Sequence, residues 1–274
     1  MRANNSDDLA LLDRPEVLSR MFYPRKELPE IPITLKAMTH FIEVEEGISI
    51  GCRFYPAHRD AANVLFFHGN GETASDYDYI APLYNERGMN LYVADYRGYG
   101  LSNGRPTATA LVKDAYALFQ GCITFLKELG YGGDVFIMGR SLGSVPAIES
   151  VVHYPHRLKG LIIESGFSNT FRLINYLGFG HLFPGITDLK GFGNDDKIKD
   201  IFIPLLVMHG KKDRLIPFAE GKELYELSGS TQKRLVLLPH ADHNNLLFVA
   251  RKLYFHELET FVKEVGNQWL RVER

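Results

Sequence analysis

One serine of this chain has the sequence context of a catalytic nucleophile. The pattern Gly-x-Ser-x-Gly occurs twice, around Ser141 and around Ser102. Ser141 directly follows the apolar run 135–138 and directly precedes a helical stretch. A turn between a strand and a helix lifts a serine hydroxyl clear of a sheet, which favours Ser141 as the nucleophile over a purely structural turn residue. Ser102 lies in a loop several residues beyond its strand, and we interpret it as a polar turn residue.

An imidazole and a carboxylate are predicted to complete this site. A serine hydroxyl is a poor nucleophile at neutral pH, so it needs a base, and the base needs a carboxylate that orients it. Asp213 and His243 follow Ser141 in the chain, and each lies just past a short apolar run. The ends of parallel strands meet at one edge of a sheet. We therefore expect Asp213 and His243 beside Ser141.

Other residues are alternatives for these two roles. Glu164 ends an apolar run and Asp242 adjoins the predicted base in sequence, so either could supply the carboxylate. His240 lies in the same loop as His243 and is the alternative base. His209 stands at a strand end and is interpreted as a structural histidine.

Two backbone N–H groups are predicted to form an oxyanion hole. The N–H of Leu142 lies at a helix start, where it has no partner within the helix and points at developing negative charge. The second donor is predicted to be the N–H of Asn70, where the flanking Gly69 and Gly71 allow the backbone to approach a ligand closely. The side chain of His68, at the start of this loop, is expected to brace it.

Short apolar runs and the helical patterns between them must position these residues. The runs lack alternation and are typical of strands buried on both faces; they lie at 63–67, 90–94, 135–138, 161–163, 205–208 and 235–238. Residues 39–44 and 48–55 predict a β-hairpin with Gly47 at its turn. This alternation of strands and helices predicts an α/β fold with a mostly parallel, doubly wound sheet.

Two helices can be predicted between or after these runs. Apolar residues recur every three or four positions from Leu111 to Leu129, with Thr107 as a predicted N-cap and Gly130 as a predicted stop. A second helical region is predicted near the end of the chain, over residues 246–265.

A predicted arm and a predicted cap flank the core of the fold. Residues 1–35 are spaced by prolines and are expected to form an arm or a short helix packed on the outside of a single domain at 36–274. The segment at about 165–203 is apolar and interrupted by glycines, which predicts a short cap insertion over the site. Phe167, Phe171 and Tyr176 are candidates for binding an acyl group; the alternative is that they only pack the cap onto the sheet.

The motifs resemble those of α/β-hydrolase-fold serine hydrolases, of the branch that includes the Bem46-like proteins and the ABHD17- and ABHD13-type hydrolases. The resemblance covers roughly residues 40–265 and rests on the segments 68–71, 95–102, 139–143, 209–213 and 241–244, in the family order. It implies the α/β-hydrolase fold and an esterase, thioesterase or lipase activity. It leaves the substrate open.

These observations predict a serine hydrolase that cleaves a carboxylic ester or thioester through an acyl-enzyme on Ser141. A peptidase or amidase of the same fold is the nearest alternative. The second alternative is a non-catalytic ligand-binding protein that has kept the fold.

Composition excludes several other classes of protein. The 274 residues include 31 Lys and Arg against 33 Asp and Glu, a formal net charge of −2, so nothing favours a nucleic-acid partner. No apolar run approaches the roughly 20 residues that span a bilayer, and the first residues have no signal-peptide pattern. We expect a small-molecule or acylated substrate, no stable membrane insertion and a cytoplasmic location. Two cysteines form neither a disulfide framework nor a zinc cage, and the predicted chemistry needs no metal or organic cofactor.

Overall fold

An eight-stranded sheet forms the centre of the computed structural model, which describes residues 6–28, 37–184 and 189–267. The strands are β1 Met38–Glu45, β2 Ile48–Tyr55, β3 Ala62–Phe67, β4 Met89–Ala94, β5 Val135–Arg140, β6 Gly160–Glu164, β7 Leu205–Gly210 and β8 Lys233–Leu238. Their order in the sheet is β1-β2-β4-β3-β5-β6-β7-β8. The β1–β2 and β2–β4 pairs are antiparallel, and the pairs from β4 to β8 are parallel.

Helices cover both faces of this sheet. They are α1 Ser6–Leu12, α2 Pro15–Met21, α3 Ala81–Asn85, α4 Ala108–Glu128, α5 Ser144–His153, α6 Thr170–Tyr176, α7 Asn194–Lys197, α8 Phe218–Leu227, α9 Leu246–Val249 and α10 Arg251–Asn267. Residues from α4, α5 and α8 pack into one buried apolar cluster, and residues from α3 and α10 pack into a second. Alternate side chains of a strand point to opposite faces, so a central strand such as β5 contributes to both clusters. The predicted doubly wound α/β sheet is confirmed.

Local signals in the sequence set several of these element boundaries. The hairpin of β1 and β2 turns at Gly47, whose φ is +73°, in the left-handed region that favours glycine. The hydroxyl of Thr107 accepts the N–H of Ala110 at 2.9 Å and caps α4. Gly130, also at a positive φ of +73°, follows the end of α4. These turn and cap predictions are confirmed.

The first part of the chain is more deeply packed than the expected outer arm. It forms α1 and α2, and Leu12, Val17 and Phe22 are buried in the same apolar cluster as α4 and α5. The Oδ1 atom of Asp13 accepts the backbone N–H of Ala108 at 2.6 Å, so this segment also caps the start of α4. The predicted boundary at residue 35 lies outside the described residues.

The segment between β6 and β7 lies over the edge of the sheet where the parallel strands end. It contains α6 and α7, and residues 185–188 within it are outside the described part of the chain. A carboxylate oxygen of Glu220, in α8, accepts the N–H groups of Ser168 at 3.0 Å and Asn169 at 3.1 Å. Lys197 of α7 forms an ion pair with Glu149 of α5. Both ends of this segment are therefore anchored to the core helices.

Candidate active site

Ser141 lies in a strained turn between β5 and α5. Its φ is +53°, a value that residues with a side chain rarely adopt. A Cβ atom on Gly139 would lie 2.3 Å from the carbonyl oxygen of Gly143, and one on Gly143 would lie 2.1 Å from that of Phe67. Both glycines are thus needed for the turn to close against its neighbours.

The structure brings Ser141, His243 and Asp213 into one hydrogen-bonded row. The Nε2 atom of His243 lies 3.1 Å from the Oγ of Ser141, and its Nδ1 lies 2.7 Å from the Oδ2 of Asp213. All three residues are buried. This geometry allows the imidazole to take the hydroxyl proton while the carboxylate fixes its tautomer.

The surroundings of Asp213 keep it ionised. Its Oδ1 accepts the backbone N–H groups of Leu215 at 2.9 Å and Ile216 at 2.8 Å. Burial alone would raise the pKa of Asp213, but hydrogen bonds from His209 and His243, with the charge of His243, lower it well below its ordinary value. At neutral pH this residue therefore presents a carboxylate to the imidazole.

The alternative acids, Glu164 and Asp242, and the alternative base, His240, lie outside the hydrogen-bonded row. Glu164 accepts hydrogen bonds from Arg140 at 3.0 Å and from the hydroxyl of Tyr254 at 2.7 Å. The Oδ1 of Asp242 accepts the N–H groups of the two residues that follow His243, at 2.9 and 3.1 Å. His240 is exposed. In the described part of the chain, none of the three forms a hydrogen bond with Ser141 or His243.

The two residues interpreted as structural make contacts that fit that interpretation. The buried hydroxyl of Ser102 accepts the N–H of Gly51 at 2.9 Å. The Nε2 of His209 lies 2.9 Å from the carbonyl oxygen of Ile216 and 3.3 Å from Asp213. Among the described residues, no hydrogen bond joins either of them to Ser141.

Leu142 and Asn70, the predicted oxyanion donors, line one cavity together with Ser141. Leu142 lies in a tight helical turn over Ser141–Gly143 that runs into α5, and N–H groups of a first turn have no acceptor within the helix. The side chain of Asn70 has a role that sequence reasoning missed. Its Oδ1 accepts the N–H of Tyr23 at 3.0 Å, and its Nδ2 donates to the carbonyl of Met21 at 2.8 Å. It therefore ties the N-terminal segment to the loop after β3.

His68 braces that loop. Its Nδ1 lies 2.8 Å from the carbonyl oxygen of Gly69 and its Nε2 lies 3.1 Å from Asp95, so both ring nitrogens face oxygen acceptors. Burial would lower the pKa of His68, but the hydrogen bond and charge of Asp95 raise it above its ordinary value. The ring is therefore suited to be a doubly protonated brace rather than a base.

An apolar cavity of about 380 Å³ opens beside Ser141. The lining comes from α2, from the segment between β6 and β7, and from the loop after β7: Val17, Arg20, Met21, Tyr23, Phe167, Thr170, Leu173, Ile174, Leu177, Phe179, Leu182, Phe183, Phe192, Leu215 and Ile216. A concave, mostly apolar wall with few polar groups is typical of a small-molecule site.

The structure places one of the three predicted acyl-binding residues on this wall. Phe167 lines the cavity. Phe171 stands behind Phe183 in an edge-to-face contact at 5.0 Å, so Phe183 takes the wall position. Tyr176 is 54% exposed and its hydroxyl donates to the carbonyl of Arg214 at 3.2 Å. Phe171 and Tyr176 are not among the described residues that line the cavity, where helix α6 places Leu173 and Ile174 instead. Their role in binding an acyl group stays a prediction.

Among residues 6–28, 37–184 and 189–267, no group of three or more His, Cys, Asp or Glu side chains is arranged to hold a metal ion. Within the same residues, no helix combines the length and apolar character required to cross a bilayer.

Comparisons with known proteins identify similar sequences and folds. The family model described as serine aminopeptidase, S33, matches residues 58–174 and 194–247. Protein ABHD12B of Homo sapiens is 26% identical over 260 residues, with 80% of this chain and 70% of that protein covered. The lysophosphatidylserine lipase ABHD12 of Xenopus tropicalis is 33% identical over 183 residues, with 60% of this chain and 46% of that protein covered. The match thus spans about half the length of ABHD12.

A solved structure shares the fold. The Pyrococcus furiosus esterase Pf2001 superposes with a TM-score of 0.72 at 18% identity, over 89% of this chain and 97% of that one. The α/β-hydrolase fold predicted from the motifs is confirmed. The narrower branch of Bem46-like, ABHD17- and ABHD13-type proteins stays a prediction.

Proposed function

The chain belongs to the hydrolase family described as serine aminopeptidase, S33, and from that premise we propose that it is a serine hydrolase of carboxylic esters or thioesters. The observation that carries the proposal is the row of Ser141, His243 and Asp213 at the mouth of an apolar cavity. The row supports nucleophilic catalysis, and the cavity supports an acyl group as the part of the substrate that is bound.

In the proposed reaction, the Oγ of Ser141 attacks the acyl carbon while the Nε2 of His243 accepts its proton. The N–H groups of Leu142 and Asn70 stabilise the oxyanion, and loss of one such donor typically costs about 3 kcal/mol of transition-state stabilisation. His243 then protonates the alcohol or thiol that leaves. It next accepts a proton from water, whose oxygen attacks the acyl carbon. His243 returns that proton to the Oγ of Ser141 as the bond to the acyl group breaks and the acid is released.

The chemistry of the cavity favours an ester or thioester over a peptide. An aminopeptidase must bind the ammonium group of its substrate, which requires carboxylates or other acceptors near the site. Among the described residues that line the cavity there is no Asp or Glu, and Arg20 is the one charged side chain. An apolar acyl chain would instead be desolvated against the Leu, Ile and Phe side chains that line the cavity.

Arg20 favours a narrower candidate within this class, an acyl ester with an anionic headgroup. Its guanidinium carbon lies 5.4 Å from the centre of the Phe179 ring, and in the described part of the chain it forms no salt bridge. A phosphate would pair with it, and the relative ABHD12 is named as a lysophosphatidylserine lipase. Turnover of lysophosphatidylserine and of monoacylglycerol with the same acyl chain tests this point. We expect Arg20→Gln to slow hydrolysis of the anionic substrate alone.

A panel of substrates tests the proposed activity. We expect the chain to hydrolyse p-nitrophenyl esters and acyl thioesters, with rates that change from acetyl to palmitoyl chains, and to leave aminoacyl amides largely intact. Ser141→Ala should lower the rate at least about 1000-fold. Ser102→Ala, in the second Gly-x-Ser-x-Gly segment, is the matched control. Its rate per folded molecule should equal that of the wild type. Equal rates for Ser141→Ala and the wild type, or faster cleavage of amides than of esters, would overturn the proposal.

A further inference from the structure

The guanidinium of Arg140 joins three separate parts of the site. Arg140 ends β5 and directly precedes Ser141. Its Nε donates to Glu164 at the end of β6, at 3.0 Å, and its Nη1 forms an ion pair with Glu72. Its Nη2 donates to the backbone carbonyl of His243 at 2.8 Å. In the Gly-x-Ser-x-Gly pattern, Arg140 occupies a variable position beside the nucleophile.

Two of these contacts lead to a group with a proposed role in the reaction. The Oε2 of Glu72 accepts the N–H of Gly69 at 2.7 Å, next to the predicted oxyanion donor Asn70. The carbonyl held by Nη2 belongs to His243, whose ring lies 3.1 Å from the Oγ of Ser141. One side chain therefore connects the nucleophile turn, the oxyanion loop and the histidine loop.

The packing around Arg140 fixes the guanidinium in place. Its side chain is 12% exposed, and that of Glu164 is 4% exposed. Burial would lower the pKa of Arg140, but the charges of Glu72 and Glu164 raise it well above its ordinary value. A Cβ atom on Gly69 would lie 2.5 Å from Nη1. A side chain at position 69 would therefore displace this guanidinium from its partners.

We propose that Arg140 is a positioning residue for the reaction of Ser141, holding the His243 ring and the Asn70 loop at their working distances from the nucleophile. This inference rests on the proposed function. Arg140 is not among the described residues that line the cavity, so we infer that it acts through its partners.

Lysine at position 140 would keep the positive charge but lose the fixed directions of the hydrogen-bond donors. A guanidinium presents donors in fixed directions within one plane, whereas an ammonium is a compact charge on a flexible stem. The ammonium cannot span Glu72, Glu164 and the carbonyl of His243 together. Loss of positioning by even 1 Å can cost about 100-fold in rate.

Arg140→Lys and Arg140→Gln test the inference. Active sites are counted by titration with a fluorophosphonate, and kcat and KM for a p-nitrophenyl ester are measured per titrated site. We expect both variants to lose about 10- to 100-fold in kcat with KM within about threefold of the wild type. Thermal unfolding should place Arg140→Lys closer to the wild type than Arg140→Gln. If Arg140→Gln does not fold, Arg140→Lys carries the test, because the charge is preserved.

Arg97→Lys is the matched control. Arg97 also pairs with two carboxylates, Asp114 at 2.7 Å and Glu45 at 2.8 Å, and its side chain is 15% exposed. Within the described ranges, no hydrogen bond or ion pair joins these partners to Ser141, His243 or Asn70, so kcat should stay within about twofold of the wild type. Wild-type kcat in Arg140→Lys, or an equal loss in Arg97→Lys, would overturn the inference. A wild-type protein that neither hydrolyses the ester nor reacts with the fluorophosphonate would instead overturn the proposed function.

Discussion

The roles of individual residues in this site follow from what surrounds them. Asp213 receives two backbone N–H groups and two imidazoles, whereas Asp242, the neighbour of His243 in sequence, caps a turn. Sequence alone left both carboxylates open as the acid. The contacts favour Asp213, because only this carboxylate meets the Nδ1 of His243 in the described structure.

Asp213→Asn tests this assignment with little change in shape. The amide cannot stabilise an imidazolium and favours the wrong tautomer, so we expect kcat for a p-nitrophenyl ester to fall about 10⁴-fold. Asp242→Asn keeps the Oδ1 acceptor for the two backbone N–H groups of its turn, and its kcat should stay within about threefold of the wild type. A larger loss in Asp242→Asn than in Asp213→Asn would reverse the assignment.

His40 makes the stability of the fold depend on pH, and this effect is separate from catalysis. The imidazole stacks on Phe125 with ring centres 3.8 Å apart and meets the hydroxyl of Tyr92 at 2.6 Å. Burial lowers the pKa of His40 from 6.5 to about 4. Between these values the unfolded chain binds a proton that the folded chain does not, so stability falls as the pH drops through this window.

Urea unfolding at pH 7 and pH 5 measures this effect. After allowance for partial exposure of the ring, we expect His40 to account for about 1 kcal/mol of the stability lost between the two values. His40→Gln keeps an acceptor for Tyr92 and binds no proton in this range. The variant should therefore lose less stability than the wild type over the same interval; an equal loss would refute this role for His40.

Among the elements, α2 has a position that sequence patterns did not indicate. It was expected on the outside, yet Val17 and Met21, one helical turn apart, line the cavity opposite the segment between β6 and β7. Asn70 holds the end of this helix through the carbonyl of Met21. A short helix of this kind carries little periodicity, so nothing in its sequence distinguishes a cavity wall from a surface face.

Val17→Trp tests α2 as the wall of the proposed acyl pocket. The larger side chain should fill part of the 380 Å³ cavity, so we expect hydrolysis of palmitoyl esters to fall by about tenfold or more relative to acetyl esters. Ser19→Trp, on the exposed side of the same helix, is the control and should leave the chain-length profile unchanged. An unchanged profile in Val17→Trp would exclude α2 from the acyl site.

For the molecule as a whole, the sheet and its reactive edge could be predicted from sequence, and the cavity could not. Ser141, Asp213 and His243 each come just after a strand, so the topology of a parallel sheet brings them to one edge. The cavity depends on which face of α6 turns inward and on how α2 packs across it. Those choices are settled by packing among distant segments, so the sequence does not distinguish Phe171 from Phe183, which lines the cavity.

The arrangement of Ser141, His243 and Asp213 is the central claim, and covalent labelling tests it most directly. The wild-type protein is incubated with a fluorophosphonate, digested and mapped by mass spectrometry. We predict one adduct, on Ser141, that is lost in Ser141→Ala, retained in Ser102→Ala and formed at least about 100-fold more slowly in His243→Ala. An adduct on Ser102, or an undiminished labelling rate in Ser141→Ala, would contradict the account.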